Sequence, residues 1–163
     1  MRKFVPLFLL CVICGFACGQ KTFDEKMHSL YKNSVPLIRA NELQPKLESV
    51  IILDTRTPEE FKVSHIEGAR MIDYENFELE DVKNIPIDAE IIVYCSVGYR
   101  SERIGEKLQN AGYREVKNLF GGIFDWKNQE LPVVNTQNKP TDSVHTYNKS
   151  WSQWLQNGVK VYE

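Results

Sequence analysis

Two runs of this sequence, Val50-Ile51-Ile52-Leu53 and Ile91-Ile92-Val93-Tyr94, are apolar at every position. Side chains of a strand alternate between the two faces of its sheet, so a strand with no polar face must be covered on both sides. Shorter apolar runs at residues 35–38, 69–72 and 116–119 are separated from these by stretches with helical spacing at residues 41–47, 58–64, 101–111 and 122–129. Strands alternating with helices predict an α/β chain with a mainly parallel sheet. With 163 residues there is room for one ordinary domain plus extensions. Hydrophobic residues at 42% and charged residues at 26% exclude wholesale disorder. A formal charge of −2 offers no basic surplus for sequence-independent binding to nucleic acid, which is not an expected partner.

The amino terminus departs from this pattern. Arg2 and Lys3 precede an uncharged apolar run through Ala17, the layout of a secretory signal over residues 1–17. The run is shorter than the roughly 20 residues a spanning helix needs, so cleavage is expected. Cleavage would leave 18 basic against 22 acidic residues, a charge of −4. Cys11 and Cys14 fall inside the apolar core and are discarded with it, whereas Cys18 follows Ala17 in Gly15-Phe16-Ala17-Cys18-Gly19-Gln20. That stretch resembles a bacterial lipoprotein processing site, with Cys18 as the lipidated first residue; ordinary cleavage after Ala17 or Gly19 is the alternative. Either way the chain is expected to be exported, as a membrane-attached lipoprotein facing the periplasm or cell exterior if Cys18 is lipidated. Residues 18–34 then hold the lipidation site and an amphipathic helix over residues 21–33. In it Thr22 and Glu25 have capping-box spacing, and Phe23, Met27, Leu30 and Tyr31 share a face.

Cys95 is the one cysteine of the body, and it opens Cys95-Ser96-Val97-Gly98-Tyr99-Arg100-Ser101 between a buried-strand pattern and a helix start. A strand, a tight loop and a helix N-terminus make a site for negative charge, because loop amides and the helix dipole converge there. That field, with Arg100 close by, favours the nucleophilic thiolate at Cys95. Gly98 allows the tight turn, Ser101 is a suitable N-cap, Tyr99 is expected to shape the entrance, and Glu102 works mildly against an anion.

The loop and its surroundings resemble a rhodanese, the sulfurtransferase homology domain. Asp54-Thr55-Arg56, Glu59-Glu60-Phe61, His65-Ile66-Glu67-Gly68-Ala69, Tyr94-Cys95, Gly98, Arg100-Ser101, Gly112-Tyr113, Val116, Asn118-Leu119, Gly121-Gly122 and Trp126 occur in that family's order and approximate spacing, across residues 35–134. The resemblance implies a five-stranded, mainly parallel sheet flanked by helices on both faces. It also implies that Cys95 accepts a sulfane sulfur as a persulfide from a small anionic donor such as thiosulfate and passes it to a thiol or cyanide, with no cofactor. Ser96 to Ser101 would bind the substrate, and Asp54 and Arg56 would support the loop. A cysteine phosphatase uses C-x5-R; the C-x4-R here is one residue shorter and favours the smaller persulfide over phosphate.

Other residues have plainer readings. Arg56 either faces the loop or forms an ion pair with Asp54 or Glu60, the two weighing evenly. His65 is expected in a hydrogen-bonded turn, Trp126 in the core, and His28 and His145 have no metal-ligand spacing to Cys95, so no metal is expected. Residues 135–163 are expected to form a linker and an aromatic helix, with Tyr147, Trp151, Trp154 and Leu155 on one face for packing or for a protein partner. Two further functions remain open at this level: a rhodanese-fold sulfur carrier or binding module without efficient turnover, and a redox protein, the weaker of the two because the body offers no resolving cysteine.

Overall fold

The computed structural model describes residues 22–162. The signal segment, the proposed processing site and Cys18 therefore lie outside the described residues.

The domain is an α/β sandwich around a five-stranded parallel sheet. In chain order its elements are α1 (Phe23–His28), β1 (Leu37–Ile38), α2 (Ala40–Leu43), β2 (Ile51–Asp54), α3 (Pro58–Val63), β3 (Arg70–Met71), β4 (Glu90–Tyr94), α4 (Tyr99–Asn110), β5 (Glu115–Leu119) and α5 (Gly122–Asn128). The strand order is β1-β5-β4-β2-β3, which puts β4 at the centre, with Leu53 opposite Val93 and Val93 opposite Asn118. The apolar character of β2 and β4 has the expected cause. Ile52, Ile92 and Tyr94 enter a core shared with Met27, Leu43, Phe124 and Trp126, while Leu53, Ile91 and Val93 enter a second core with Ile104 and Leu108 of α4. Helices cover both faces.

Several expected boundaries shift. The amino-terminal helix spans only α1, although the Thr22–Glu25 capping box is present, and residues 41–47 divide into α2 and a 3₁₀ stretch, Gln44–Ser49, that carries Pro45 in its first turn. The expected linker and aromatic helix differ most. Val133–Val134 (β6) pairs antiparallel with Pro140–Thr141 (β7), and Ser143–His145 (β8) pairs parallel with Val159–Val161 (β9). Among the described residues beyond 134, only Trp151–Trp154 is helical, as one 3₁₀ turn. Tyr147 has a positive φ of 65°, which no helix accommodates, so it cannot share a helical face with Trp151. Val144 and Leu155 are nonetheless fully buried in the first core. Among the described residues no helix is long and apolar enough to cross a membrane.

Candidate active site

Cys95 stands immediately after the central strand, at the sheet edge where α/β proteins collect their ligand sites. It is 1% exposed and unbridged. The chain turns sharply at Gly98, whose φ of 92° suits glycine, and α4 begins with the next residue. The Gly98 amide donates to Cys95 Sγ at 3.1 Å. An S–H or a thiolate thus sits against a backbone donor at the positive end of a 12-residue helix, the arrangement that stabilises a sulfur anion. Gly98, not Ser101, occupies the cap position. Ser101 lies in the first turn, where its hydroxyl donates to Asn118 Oδ1 (2.7 Å) while Asn118 Nδ2 donates to Gly98 O (2.9 Å), tying the loop to β5.

The loop is held from every side. The Cys95 and Ser96 carbonyls accept from the Ile123 and Phe124 amides of α5 at 2.9 and 3.1 Å. That approach depends on Gly122, since a Cβ there would come within 2.2 Å of Cys95 O. From the other end of the sequence, Tyr31 reaches across. Its buried phenol donates to Val97 O (2.6 Å) and accepts from Gly121 N (2.8 Å). Burial raises the Tyr31 ionisation well above the usual tyrosine value, so it remains a neutral donor. The carboxylate of Glu102 is engaged below the loop, accepting from the Lys32 and Ser34 amides (3.0 and 3.1 Å) and pairing with Arg103.

Arg100 does not present a free charge to the loop. Its guanidinium forms a fork with Glu60, Nη1 to Oε2 and Nη2 to Oε1 both at 2.8 Å. Glu60 also accepts from Ser96 Oγ (2.8 Å) and the Thr57 amide (3.0 Å). Burial would raise the Glu60 carboxyl, but the hydrogen bonds and charge of Arg100, reinforced by Arg56, hold it down at about 2. The sequence offered Glu60 as an ion-pair partner for Arg56 rather than for Arg100; the Thr57–Glu60 capping box of α3 turns its carboxylate back onto its own helix start.

Asp54 and Arg56 form a fully buried pair, with Nε to Oδ1 at 2.9 Å and Nη2 to Oδ2 at 2.7 Å, and Arg56 Nη2 donates further to Ser64 O (2.6 Å). Of its two readings, the structural ion pair is the one observed. His65 stacks on Phe61 at 3.9 Å between ring centroids and bridges to Val134 through backbone bonds, and Trp126 is buried with its indole donating to Pro132 O.

Above Cys95 opens a pocket of about 420 Å³ lined by Cys95, Ser96, Val97, Tyr99 and Arg100 of the loop. Leu30, Thr57, Tyr74, Glu75, Tyr147 and Trp151 complete the wall. Tyr99 is half-exposed at the mouth under the Arg103 guanidinium. Tyr147 and Trp151 come from the carboxy-terminal segment, which the sequence had offered as packing or partner surface; no local signal placed them over the cysteine.

Known proteins resemble the central part of this chain. The family described as "Rhodanese-like domain" matches residues 39–129. A protein named "Sulfurtransferase" from Allochromatium vinosum is 34% identical over 87 residues, covering 53% of this chain and 80% of its own. A tRNA uridine(34) hydroxylase from Listeria monocytogenes is 37% identical over 89 residues, but the match covers 51% of this chain and only 28% of that enzyme. The chain thus spans just over a quarter of the length of such relatives. Among solved structures, a rhodanese-related protein from Thermoplasma volcanium superposes with a TM-score of 0.56 at 28% identity, covering 61% of this chain and 97% of that one.

Proposed function

The chain belongs to the rhodanese-like domain family, and from that premise we propose that it is a sulfurtransferase whose sulfur carrier is Cys95. The observation that carries this reading is the Cys95 sulfur under the Gly98 amide, at the start of α4 and at the floor of a pocket. The thiolate attacks the outer sulfur of a sulfane donor. With thiosulfate, the new S–S bond forms as the old one breaks, sulfite leaves with the bonding pair, and a Cys95 persulfide remains. A thiolate or cyanide acceptor then attacks the terminal sulfur, and the electron pair returns to Cys95. The Gly98 amide and the helix dipole stabilise the sulfur anion on both sides of the cycle. Arg100, paired with Glu60, fixes the loop and contributes less net positive charge than its proximity in sequence suggested. Mass spectrometry after incubation with sulfane donors should show one added sulfur on Cys95, absent from Cys95→Ser. An unmodified Cys95 with thiosulfate and with several other donors would refute the reading.

Export and lipid tethering through Cys18 belong to the same proposal, supported by the apolar run ahead of it and the small residues beside it. Acyl chains contribute ~0.8 kcal/mol per buried CH₂, and two chains suffice for stable attachment. Cys18→Ser should move the protein from the membrane to the soluble exported fraction; persistent membrane association of a processed Ser variant would contradict it.

A further inference from the structure

Resting on sulfur transfer at Cys95, we propose that Tyr147 and Trp151 form a specificity wall that selects sulfur donors with an apolar or aromatic body over small inorganic ones.

Three observations carry this. The pocket's volume of about 420 Å³ falls in the ~300–1,000 Å³ range of sites for organic ligands, far more room than an inorganic oxyanion fills. Its wall is largely aromatic and aliphatic, with Leu30, Tyr74, Tyr99, Tyr147 and Trp151 around the loop. Its charge does not favour a multiply charged anion, since Arg100 is the sole cation among the described lining residues and is bonded to Glu60, while Glu75 adds an acid at the rim. The site is therefore two-part: the Gly98 amide and a helix dipole for a sulfur anion at its floor, and rings for an apolar group above.

The wall is built, not incidental. Tyr147 is held in the left-handed region (φ 65°), a conformation that costs energy for a tyrosine and recurs at functional sites. Its amide donates to His145 Nδ1 (3.1 Å), and the next turn is closed by Asn148 N donating to Thr146 O (2.7 Å). The ring lies 5.8 Å from the Arg100 guanidinium, and the Trp151 ring lies 5.4 Å from Lys26 Nζ of α1. Both aromatic residues fall outside the segment matched by the family, residues 39–129, so this wall is an addition to the common domain.

Alkyl and aryl thiosulfonates isolate the effect, because they share one anionic head and differ only in the body. Cys95 thiolate attacks the sulfane sulfur of R–SO₂–S⁻, forming the persulfide and releasing the sulfinate R–SO₂⁻ with the electron pair. With cyanide as acceptor, kcat/KM for benzenethiosulfonate should exceed that for methanethiosulfonate at least tenfold after subtraction of the uncatalysed rates. Tyr147→Ala and Trp151→Ala should each shrink that ratio several-fold. A ratio near one, or a ratio unmoved by both substitutions, overturns the proposal. The Cys95→Ser protein supplies a readout that needs no turnover: by calorimetry it should bind benzenesulfinate at least tenfold tighter than methanesulfinate. Equal binding of the two overturns the wall, whereas selective binding combined with an unmodified Cys95 in the unsubstituted protein would instead overturn sulfur transfer and leave an aromatic-ligand pocket.

Discussion

Arg100 and Glu60 meet across unequal surroundings: the Glu60 side chain is 1% exposed and that of Arg100 17%. Removing the arginine would leave a buried carboxylate without its main partner, so Arg100→Ala acts on stability before it acts on a donor. The pair also sets an acid limb. Glu60 is held at about 2 against an ordinary value of 4.5, so the folded state binds this proton less readily than the unfolded chain does. The resulting stabilisation is fully present above about 4.5 and is lost as the pH falls toward about 2. At 1.36 kcal/mol per unit the shift corresponds to about 3 kcal/mol. Urea unfolding from pH 6 down to about 2 should show that decline in the natural protein. Glu60→Gln should be less stable at neutral pH and lack this part of the slope, and parallel slopes in the two proteins would remove Glu60 as its source.

The loop after β4 is shaped by elements distant in sequence: α5 supplies amides to its carbonyls, β5 supplies Asn118, and the segment after α1 supplies Tyr31. Tyr31 also packs against Gly98 so closely that a Cβ there would stand 2.4 Å from its phenol oxygen. Tyr31→Phe keeps the ring and deletes both hydrogen bonds, leaving Val97 O and Gly121 N buried without that partner. Each stranded group costs about 1–3 kcal/mol. Because the loss falls on the loop that holds Cys95, kcat for sulfur transfer should drop several-fold with little change in KM. A variant that melts earlier but turns over normally would make Tyr31 a purely structural strut.

Across the whole molecule, the two segments flanking the family-matched region meet each other. Phe23 of α1 packs edge-on against Trp154 at 6.4 Å, and Asn128 at the end of α5 bonds to Trp154, Gln156 and Asn157. Residues 135–162 are thus anchored on the domain, with Val144 and Leu155 buried in the first core and Trp151 and Trp154 packed against it. Truncation after Val134 removes the fully buried Val144 and Leu155, each worth ~1.5–3 kcal/mol, and opens the first core to water. The truncated chain should lose at least about 3 kcal/mol in chemical denaturation. Unchanged stability would mean that the segment adds no net support.

The sequence by itself determined the α/β class, the central strand ending at Cys95 and the loop-to-helix transition behind it, because these follow from local pattern. An all-apolar run of only four residues between stretches of helical spacing reads as a doubly covered strand, and a glycine in a short loop ahead of helical spacing places the turn. Expectations that depended on long-range partners were settled only in three dimensions. Ser101 reads as a cap until Asn118 is found facing it, and Arg100 reads as a free cation until Glu60, forty residues away, closes on it. The aromatic tail has helical spacing, yet pairing of β8 with β9 and the left-handed turn at Tyr147 override that periodicity and bring Tyr147 and Trp151 to the pocket. Spacing records which residues share a local face; charge compensation, burial and strand pairing depend on neighbours that only the folded chain brings together.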